Sequence, residues 1–314
     1  MKETFREKRF GADSLLVVQR ADQIIQTYQA QGLRLTARQL YYQFVTRNWV
    51  TNEDKSYKRL TSIVSDARLA GMLDWDAIED RGREADVPND FEDLDALVKA
   101  ALSSYKLDRW EGQPYYAELW VEKQALAGVL EPLARKFHVP LVVNKGYSSQ
   151  SAMYAAAQRF RTGMGTEGER EEVGQGEDPW YQLESERAGR IFYLGDFDPS
   201  GEDMVRDIRD RMQMFGCGDQ LEVQKIGLTW AQILHHKPPP NPAKLDDPRA
   251  AVYIAQHGRQ SWEVDALDPP ELARIVNRAF GAIIDQAQLD SVLDREKTDK
   301  VLLTTALEKV KKKK

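Results

Sequence analysis

The sequence predicts an α/β protein in two regions: a basic, helical N-terminal region and a longer region with a mostly parallel sheet. Residues 1–72 contain 12 lysines and arginines against 7 acidic residues, whereas the remaining 242 residues contain 32 against 43. After about residue 115, apolar strand patterns alternate with helical patterns, which is typical of a parallel sheet covered by helices. The charge division indicates a module that docks on a polyanion, joined to a body that collects cations.

The composition excludes several classes of protein. Hydrophobic residues make up 42% of the chain and charged residues 30%, and no apolar run approaches the ~18–20 residues that a membrane span needs. The charged N-terminus does not fit a signal peptide. One cysteine and four histidines exclude a disulfide framework and a cysteine-based zinc site. We therefore expect a cytoplasmic protein with no membrane partner, in which any metal binds to carboxylates.

Residues 1–86 predict three helices and a strand. Asp13 or Ser14 can cap the first helix, and Thr36 caps the second, which has the sequence ARQLYYQFVTRNW. A third helix is predicted from about 57 to 70, with an apolar face and a polar face. The next segment, MLDWDAI, alternates as a strand does, and EDRGRE predicts a turn.

The polar face of the third predicted helix carries the basic residues Lys58, Arg59 and Arg68. Helix, helix, polar-faced helix and β-wing is the order of elements in a winged helix, a relative of the helix-turn-helix. We therefore predict a DNA-binding domain in which these three side chains contact DNA phosphates. A small helical domain with a solvated polar face is the alternative.

Residues 87–114 are acidic and then interrupted by Pro and Gly, which predicts a linker before a domain that spans 115–314. Four strands are predicted in that domain, YAELWV, VPLVV, RIFYL and LEVQKIGL, with helices between them. Residues 163–189 are rich in Gly and Glu and predict a surface loop. The domain closes with a helical extension and the basic tail KVKKKK.

Three carboxylates follow strands of this domain. Glu122 ends the first strand, and Asp196 and Asp198 end the third at a spacing of two residues, so that both point the same way on an extended segment. Ligands of parallel sheets bind at the carboxyl ends of strands, and oxygen ligands suit Mg²⁺. Each residue has a simpler explanation, because a strand-end Glu is often only solvated and D-x-D-P-S-G makes a good helix cap. Glu263 and Asp265 could extend the site, but solvation is favoured for them.

The chain resembles a known family in three segments: AELWVEKQAL, YLGDFDPSGEDM and SWEVDALDPPELARIV. The first two look like a Toprim domain, and V-E-K-x-A with D-x-D-P-x-G is similar to the A subunit of topoisomerase VI and the related meiotic double-strand-break transesterase. The resemblance extends from Thr36 to about Asp285 and suggests a short, stand-alone member. It implies that Glu122, Asp196 and Asp198 bind Mg²⁺, with Mn²⁺ as a possible substitute, and that Glu122 can also donate a proton during religation.

The nucleophile of that family is a tyrosine in a segment like R-x-L/I-Y-Y, and Arg38 to Tyr42 here read R-Q-L-Y-Y. Helical geometry places Tyr41 on the apolar stripe of the second helix, whereas Tyr42 lies one turn from Arg38. A phenol with an ordinary pKa near ~10 needs cationic help to ionise, and Arg38 is placed to give it. Packing of both tyrosines is the alternative.

The expected reaction is therefore transesterification of double-stranded DNA, in which Tyr42 attacks a backbone phosphorus and Mg²⁺ offsets the developing charge. The resemblance implies a homodimer in which the tyrosine of one protomer completes the carboxylate site of the other. The chain has no Gly-rich ATPase loop, so it has no ATP site, and a separate ATPase B-type subunit is a possible partner. Two other hypotheses stay open: a Toprim nuclease that hydrolyses DNA directly, as in plasmid and phage defence, and a non-cleaving DNA-binding scaffold. We expect a cytoplasmic protein that is associated with the nucleoid.

Overall fold

The computed structural model describes residues 2–79, 90–144, 146–165, 187–243 and 246–311. Most of the predicted turn EDRGRE, most of the predicted loop 163–189 and the end of the basic tail lie outside these residues. No described helix is long and apolar enough to cross a membrane.

The described residues form eleven α-helices, numbered in chain order. They are α1 (Ala12–Gln29), α2 (Ala37–Thr46), α3 (Asp54–Leu69), α4 (Leu94–Ser104), α5 (Ala127–Phe137), α6 (Gln150–Met164), α7 (Pro199–Met214), α8 (Trp230–His236), α9 (Ala250–His257), α10 (Pro269–Gly281) and α11 (Gln286–Lys311). The strands are β1 (Leu35–Thr36), β2 (Ile78–Glu79), β3 (Tyr115–Val121), β4 (Leu141–Val143), β5 (Ala188–Leu194), β6 (Leu221–Gly227), β7 (Asn241–Pro242) and β8 (Gln260–Ser261).

Helices α1, α2 and α3 pack around a shared apolar core that includes Phe44, which is fully buried. Thr36 caps α2 as predicted: its hydroxyl accepts from the backbone N–H of Gln39, whose side chain accepts from the Thr36 N–H. The predicted cap of α1 is wrong. The cap is Gly11, two or three residues before the predicted positions, so that Asp13 lies in the first turn, where its carboxylate still favours the helix N-terminus.

The predicted strand MLDWDAI is largely replaced by a turn. The Asp74 side chain accepts from the backbone N–H of Asp76 at 2.8 Å and begins a 3₁₀ turn over Trp75–Ala77. Only Ile78–Glu79 is extended, and it pairs in parallel with β1. The turn forms in place of the strand because the Asp74 side chain accepts a hydrogen bond from a nearby backbone N–H, which is then not available to a strand ladder.

The predicted linker 87–114 contains helix α4, capped by Asp93, whose side chain accepts from the backbone N–H of Ala96 at 2.7 Å. The segment after α4 is tied to α11: the hydroxyl of Tyr105 donates to Asp299 at 2.8 Å. This part of the chain is therefore a folded connection, and its acidic composition reflects a cap and a solvated helix face rather than a flexible tether.

The large sheet is parallel, with strand order β4-β3-β5-β6, which confirms the predicted α/β fold and parallel sheet. Helices α5 and α10 cover one face, and α6 and α7 cover the other. The chain leaves β3 toward β4 on one side and later returns to β5 on the other side. The carboxyl ends of β3 and β5 therefore flank the point where the strand order reverses, which is where open α/β sheets bind ligands.

A segment that we call the bridging segment, residues 261–268, joins the two regions. Trp262 exchanges both backbone hydrogen bonds with Phe197, which follows β5, at 2.8 and 2.9 Å. Four residues later, Ala266 packs in the core of the N-terminal helices. The bridging segment thus brings the tyrosine-bearing helix α2 against the carboxyl ends of the sheet strands.

Candidate active site

Two of the three predicted carboxylates meet at the reversal point of the sheet. Glu122 follows β3, and its Oε2 accepts from the backbone N–H of Asp196, which follows β5, at 3.0 Å. The hydroxyl of Tyr193 donates to the same oxygen at 3.4 Å. The parallel pairing of β3 with β5 therefore brings together residues that are 74 positions apart in the sequence.

Asp198 caps helix α7, which is the structural role that the D-x-D-P-S-G sequence also predicted for it. Its Oδ1 accepts from the backbone N–H of Gly201 at 2.7 Å and from the Ser200 hydroxyl at 2.9 Å. A Cβ at position 201 would clash with the backbone oxygen of Asp196, so this turn requires glycine. Asp198 nevertheless lines the same cleft as Asp196.

Lys123 is the centre of the cluster, and the sequence did not single it out. Its ammonium lies 3.0 Å from Asp196 Oδ2, 2.9 Å from Glu263 Oε2 and 3.0 Å from Asp265 Oδ1. It follows Glu122 directly in V-E-K, and this position next to a strand-end carboxylate was the signal in the sequence for a cation in the site. Lys123 therefore links the end of β3 to the end of β5 and to the bridging segment.

The expectation that Glu263 and Asp265 are solvated is wrong. Asp265 is 2% exposed, and its Oδ2 is buried without a hydrogen bond from any described residue. Arg38 Nε lies 3.8 Å from that oxygen. Glu263 faces both Lys123 and helix α2. Their spacing of two residues repeats the D-x-D pattern and was the signal in the sequence for a second acidic pair.

Arg38 and Tyr42 contact each other one turn apart, as predicted, with 3.3 Å between Arg38 Nη2 and the Tyr42 hydroxyl. The Tyr42 hydroxyl donates to Glu263 Oε2 at 2.8 Å, and Arg38 Nη2 lies 2.8 Å from both oxygens of Glu263. The tyrosine-bearing helix is thus bonded to the carboxylate cluster of the same chain.

The predicted difference in burial between the two tyrosines is wrong, because both are buried: Tyr41 is 4% exposed and Tyr42 is 2% exposed. The second face of α2 packs against the bridging segment, which covers Tyr42. Tyr41 has the predicted packing role. Its hydroxyl also accepts from the Glu53 N–H at 2.8 Å and thereby holds the loop between α2 and α3.

Burial and charge shift the pKa values of this cluster in opposite directions. Burial raises the pKa of Asp196 to about 7; Lys123 opposes the shift, and Glu122 adds to it. Burial also disfavours the charged form of Glu263, but Lys123, Tyr42 and Arg38 outweigh it and lower the pKa of that carboxyl to about 2. The direction in which the pKa of each carboxylate shifts depends on how many cations and hydrogen-bond donors that carboxylate contacts.

The pKa of the Tyr42 phenol is raised, first by burial and then by the neighbouring carboxylates Asp265 and Glu263. Arg38 acts in the predicted direction, because it lowers this pKa, but it does not outweigh the other effects. Tyr42 is therefore a neutral hydrogen-bond donor at neutral pH in this arrangement.

A cleft of about 480 Å³ opens over the cluster. It is lined by both regions of the chain, including Arg38 and Tyr42 from α2, Asp196 and Asp198 after β5, and Glu263 from the bridging segment. A tyrosine, an arginine and several carboxylates thus share one solvent-connected space.

Within the described parts of the chain, no group of three or more histidine, cysteine, aspartate or glutamate side chains is arranged so that it could hold a metal ion. The chemistry of the donors nevertheless fits a hard cation, because every acidic ligand in the cluster is an oxygen donor. Arg38 and Lys123 form ion pairs with three of these carboxylates, Asp196, Glu263 and Asp265, and Asp265 Oδ2 accepts no hydrogen bond from a described residue. The cluster therefore holds more negative charge than its own cations neutralise.

The three predicted DNA-binding residues on α3 differ in availability. Lys58 and Arg59 are exposed. Arg68 is instead engaged in the fold: its Nη2 donates to the backbone oxygen of Trp75 at 2.8 Å, and its guanidinium lies 4.5 Å from the centre of the Trp75 ring. Lys58 and Arg59 remain candidates for phosphate contacts, and Arg68 has a structural role.

No family model matches this chain, and a search of characterised proteins finds no match. Function is therefore inferred from the site itself and from the resemblance of its motifs.

Proposed function

We propose that this protein is a Mg²⁺-dependent DNA-cleaving transesterase related to the A subunit of topoisomerase VI, with Tyr42 as its nucleophile. One observation carries the proposal: a single cleft contains Tyr42, its neighbour Arg38 and the strand-end carboxylates Asp196 and Asp198. A tyrosine nucleophile and an acidic cluster are the two parts that phosphotyrosyl chemistry needs in one place.

The architecture supports the same proposal. Three helices followed by a short strand agree with a winged-helix domain, and a four-stranded parallel sheet with carboxylates at its reversal point agrees with a Toprim domain. The order of the two regions along the chain, with the tyrosine in the first and the carboxylates in the second, is the one implied by the resemblance.

In the proposed reaction, the Tyr42 oxygen attacks a backbone phosphorus. A phosphotyrosyl ester forms as the bond from phosphorus to one nucleotide oxygen breaks, and that oxygen leaves as a hydroxyl. The Tyr42 proton points at Glu263 in the free protein. A phosphate that enters between Tyr42 and Glu263 would separate the phenol from a carboxylate that raises its pKa, and Arg38 would then stabilise the phenolate or the phosphate.

Glu122, Asp196 and Asp198 are the residues that would hold Mg²⁺, or Mn²⁺ in its place, and the ion would supply positive charge beside the scissile phosphate. Glu122, whose Oε2 accepts from the Asp196 backbone N–H, would donate a proton during religation, as the resemblance implies.

The proposed substrate is double-stranded DNA in the nucleoid, held by Lys58 and Arg59 on the exposed face of α3. We further propose that the protein acts as a homodimer, so that two chains cut the two strands. Strand passage would need a separate ATPase subunit.

The test is a covalent-attachment assay on supercoiled DNA with Mg²⁺ or Mn²⁺. Wild-type protein should become linked to DNA, and Tyr42→Phe should lose all attachment per folded molecule. Tyr41→Phe is the matched control, because it removes a hydroxyl from the neighbouring residue that faces the α2–α3 loop. Attachment by Tyr42→Phe, or its loss in Tyr41→Phe alone, would contradict the proposal.

A hydrolytic Toprim-type nuclease is a second candidate, favoured by the 2% exposure of Tyr42 and its raised phenol pKa. In that case Tyr42 would only pack, and the carboxylate cluster would activate water. DNA cutting that survives Tyr42→Phe, without protein linked to the product, would select this candidate. DNA binding without any cutting would instead indicate a scaffold.

A further inference from the structure

Both carboxylate oxygens of Asp196 have partners within the chain. Its Oδ1 accepts from the backbone N–H of Val264 at 2.9 Å, and its Oδ2 lies 3.0 Å from the Lys123 ammonium. Asp196 is 8% exposed, so its side chain is held between these two partners. A cation that binds Asp196 from the cleft would therefore meet the Lys123 ammonium at Oδ2.

The Lys123 ammonium lies where a divalent cation would also be attracted. It is within 3.0 Å of one oxygen from each of three carboxylates, those of Asp196, Glu263 and Asp265. Carboxylate oxygens gathered around one positive charge are also the surroundings that hard divalent cations prefer. Two cations bonded to the same oxygen would repel each other strongly in a buried site. Lys123 and a divalent cation therefore compete for Asp196.

Asp265 offers the Lys123 ammonium another acceptor. Its Oδ1 is already 3.0 Å from Lys123, whereas its Oδ2 is buried and accepts no hydrogen bond from a described residue. Arg38 Nε lies 3.8 Å from that oxygen, which is beyond hydrogen-bond distance. A buried acceptor without a donor destabilises the fold, and a shift of the ammonium from Asp196 toward Asp265 would supply the donor.

We infer that Lys123 is a positioning residue that holds Asp196 until a divalent cation binds, and that Asp265 then receives the displaced ammonium. The inference rests on the proposed function, because Asp196 is one of the residues that would hold the ion there. It gives a role to two residues that do not hold the ion themselves. Lys123 competes with the ion for Asp196, and Asp265 weakens that competition.

The affinity for Mn²⁺, measured without DNA, tests the role of Lys123. Free Mn²⁺ is followed by its electron paramagnetic resonance signal in a titration of the full-length protein, and circular dichroism gives the folded fraction. Lys123→Met should bind Mn²⁺ at least about tenfold more tightly than wild type, because the competing charge is gone. An affinity equal to or below that of wild type would overturn the inference.

Lys136 provides the matched control, because it is an exposed lysine on α5 that forms no ion pair with the cluster. Lys136→Met removes the same charge from a solvated position, where salt screens its effect on the cluster. The affinity for Mn²⁺ should then stay within about twofold of wild type. A gain as large as that of Lys123→Met would mean that net charge alone sets the affinity, which would overturn the inference.

A double-mutant cycle tests the role of Asp265. Asp265→Asn should weaken Mn²⁺ binding about tenfold, because Lys123 then remains on Asp196. In the Lys123→Met background, the effect of Asp265→Asn should be at least about fivefold smaller. An equal loss in both backgrounds would mean that Asp265 acts on the ion directly, which would overturn its role as receiver. If Lys123→Met does not fold, Asp265→Asn alone still decides, since unchanged or tighter binding would overturn the inference.

Failure of the inference and failure of the proposed function are distinguishable, because the titrations contain no DNA. The expected cycle without any covalent attachment to DNA would support the roles of Lys123 and Asp265 and contradict the proposed function. Metal-dependent attachment without coupling between these two residues would support the proposed function and overturn the inference. Failure of every folded variant and of wild type to bind Mn²⁺ would overturn both.

Discussion

Two buried carboxylate networks lie on the same sheet and differ in almost every respect. In the middle of β3, Glu118 is fully buried. Its Oε1 accepts from Tyr116 at 2.9 Å and from Arg159 Nε at 2.8 Å; its Oε2 accepts from Trp120 at 2.8 Å and from Arg159 Nη2 at 2.9 Å. One carboxylate faces one cation and two neutral donors, so the network is complete.

In the cluster at the strand ends, by contrast, the carboxylates are not all matched by cations and hydrogen-bond donors. Three carboxylates, Asp196, Glu263 and Asp265, share Lys123 and Arg38. Asp265 Oδ2 accepts no hydrogen bond from a described residue, and a cleft reaches Asp196. Burial of an acid does not by itself mark a functional site, since the carboxylate of Glu118 is fully satisfied. Carboxylates that outnumber their cations and are reached by solvent leave room for a ligand.

The largest expected effect distinguishes the two networks by activity. Asp196→Asn should lower the DNA-cleavage rate about a thousandfold, or ~4 kcal/mol of transition-state stabilisation, because it removes a charge from the site that would hold the cation. The melting temperature should change little, since the amide oxygen can still accept from the Val264 N–H. Glu118→Gln, assayed in parallel, should retain the wild-type rate per folded molecule. Equal losses in both variants would break the distinction.

The next effect distinguishes them by stability. Glu118→Ala leaves Arg159, Trp120 and Tyr116 without their acceptor, and loss of one partner of a buried ion pair costs ~3–5 kcal/mol. We expect the lower end, because the Arg159 side chain is 40% exposed. Urea unfolding at neutral pH measures the change. The same measurement on Asp265→Asn should show little loss or a gain, since that substitution reduces like-charge repulsion; a loss as large as that of Glu118→Ala would contradict the comparison.

The sequence predicted the parts of the molecule that depend on local patterns. Apolar periodicity gave the helices and the parallel strands, and strand ends gave Glu122, Asp196 and Asp198. The sequence did not predict the ion pairs of Lys123 and Glu263 or the burial of Tyr42. These features depend on the return of the bridging segment to the sheet, which is a contact between distant positions of the chain. The predicted strand at Asp74 was wrong because of a local contact: its side chain accepts from the backbone N–H of Asp76, two residues later, and forms a turn.

A third effect depends on pH. Because burial raises the pKa of Asp196 to about 7 from an ordinary 3.8, the folded protein binds an extra proton between these values. The stability that this proton contributes is fully present below pH 4 and is lost as the pH rises through 7. Asp196→Asn removes it, so the stability of wild type relative to the variant should fall by ~4 kcal/mol over this interval. Urea midpoints at four pH values measure it, and a difference that rises with pH would contradict the assignment.

The smallest expected effect is on the salt dependence of DNA affinity, through the exposed basic residues of α3. Replacing Lys58 and Arg59 with Gln should flatten the log–log dependence of DNA affinity on salt by about two, since each lost phosphate contact removes ~0.9 counterion. Arg68→Gln should leave the slope unchanged and instead lower the melting temperature, because Arg68 is bound to Trp75. Fluorescence anisotropy across a salt series measures the slope. A change for Arg68→Gln alone would place the DNA on a different surface.

The position of Ala266 in the N-terminal core has a consequence for synthesis of the chain. Helices α1 to α3 leave the ribosome roughly 190 residues before the segment that completes their core, an interval on the order of 10–40 s at ordinary translation rates. Until then, the apolar face that later receives Ala266 has no native partner and is open to chaperones and proteases. An interrupted translation product would therefore carry the exposed Lys58 and Arg59 of α3 without the assembled cleft.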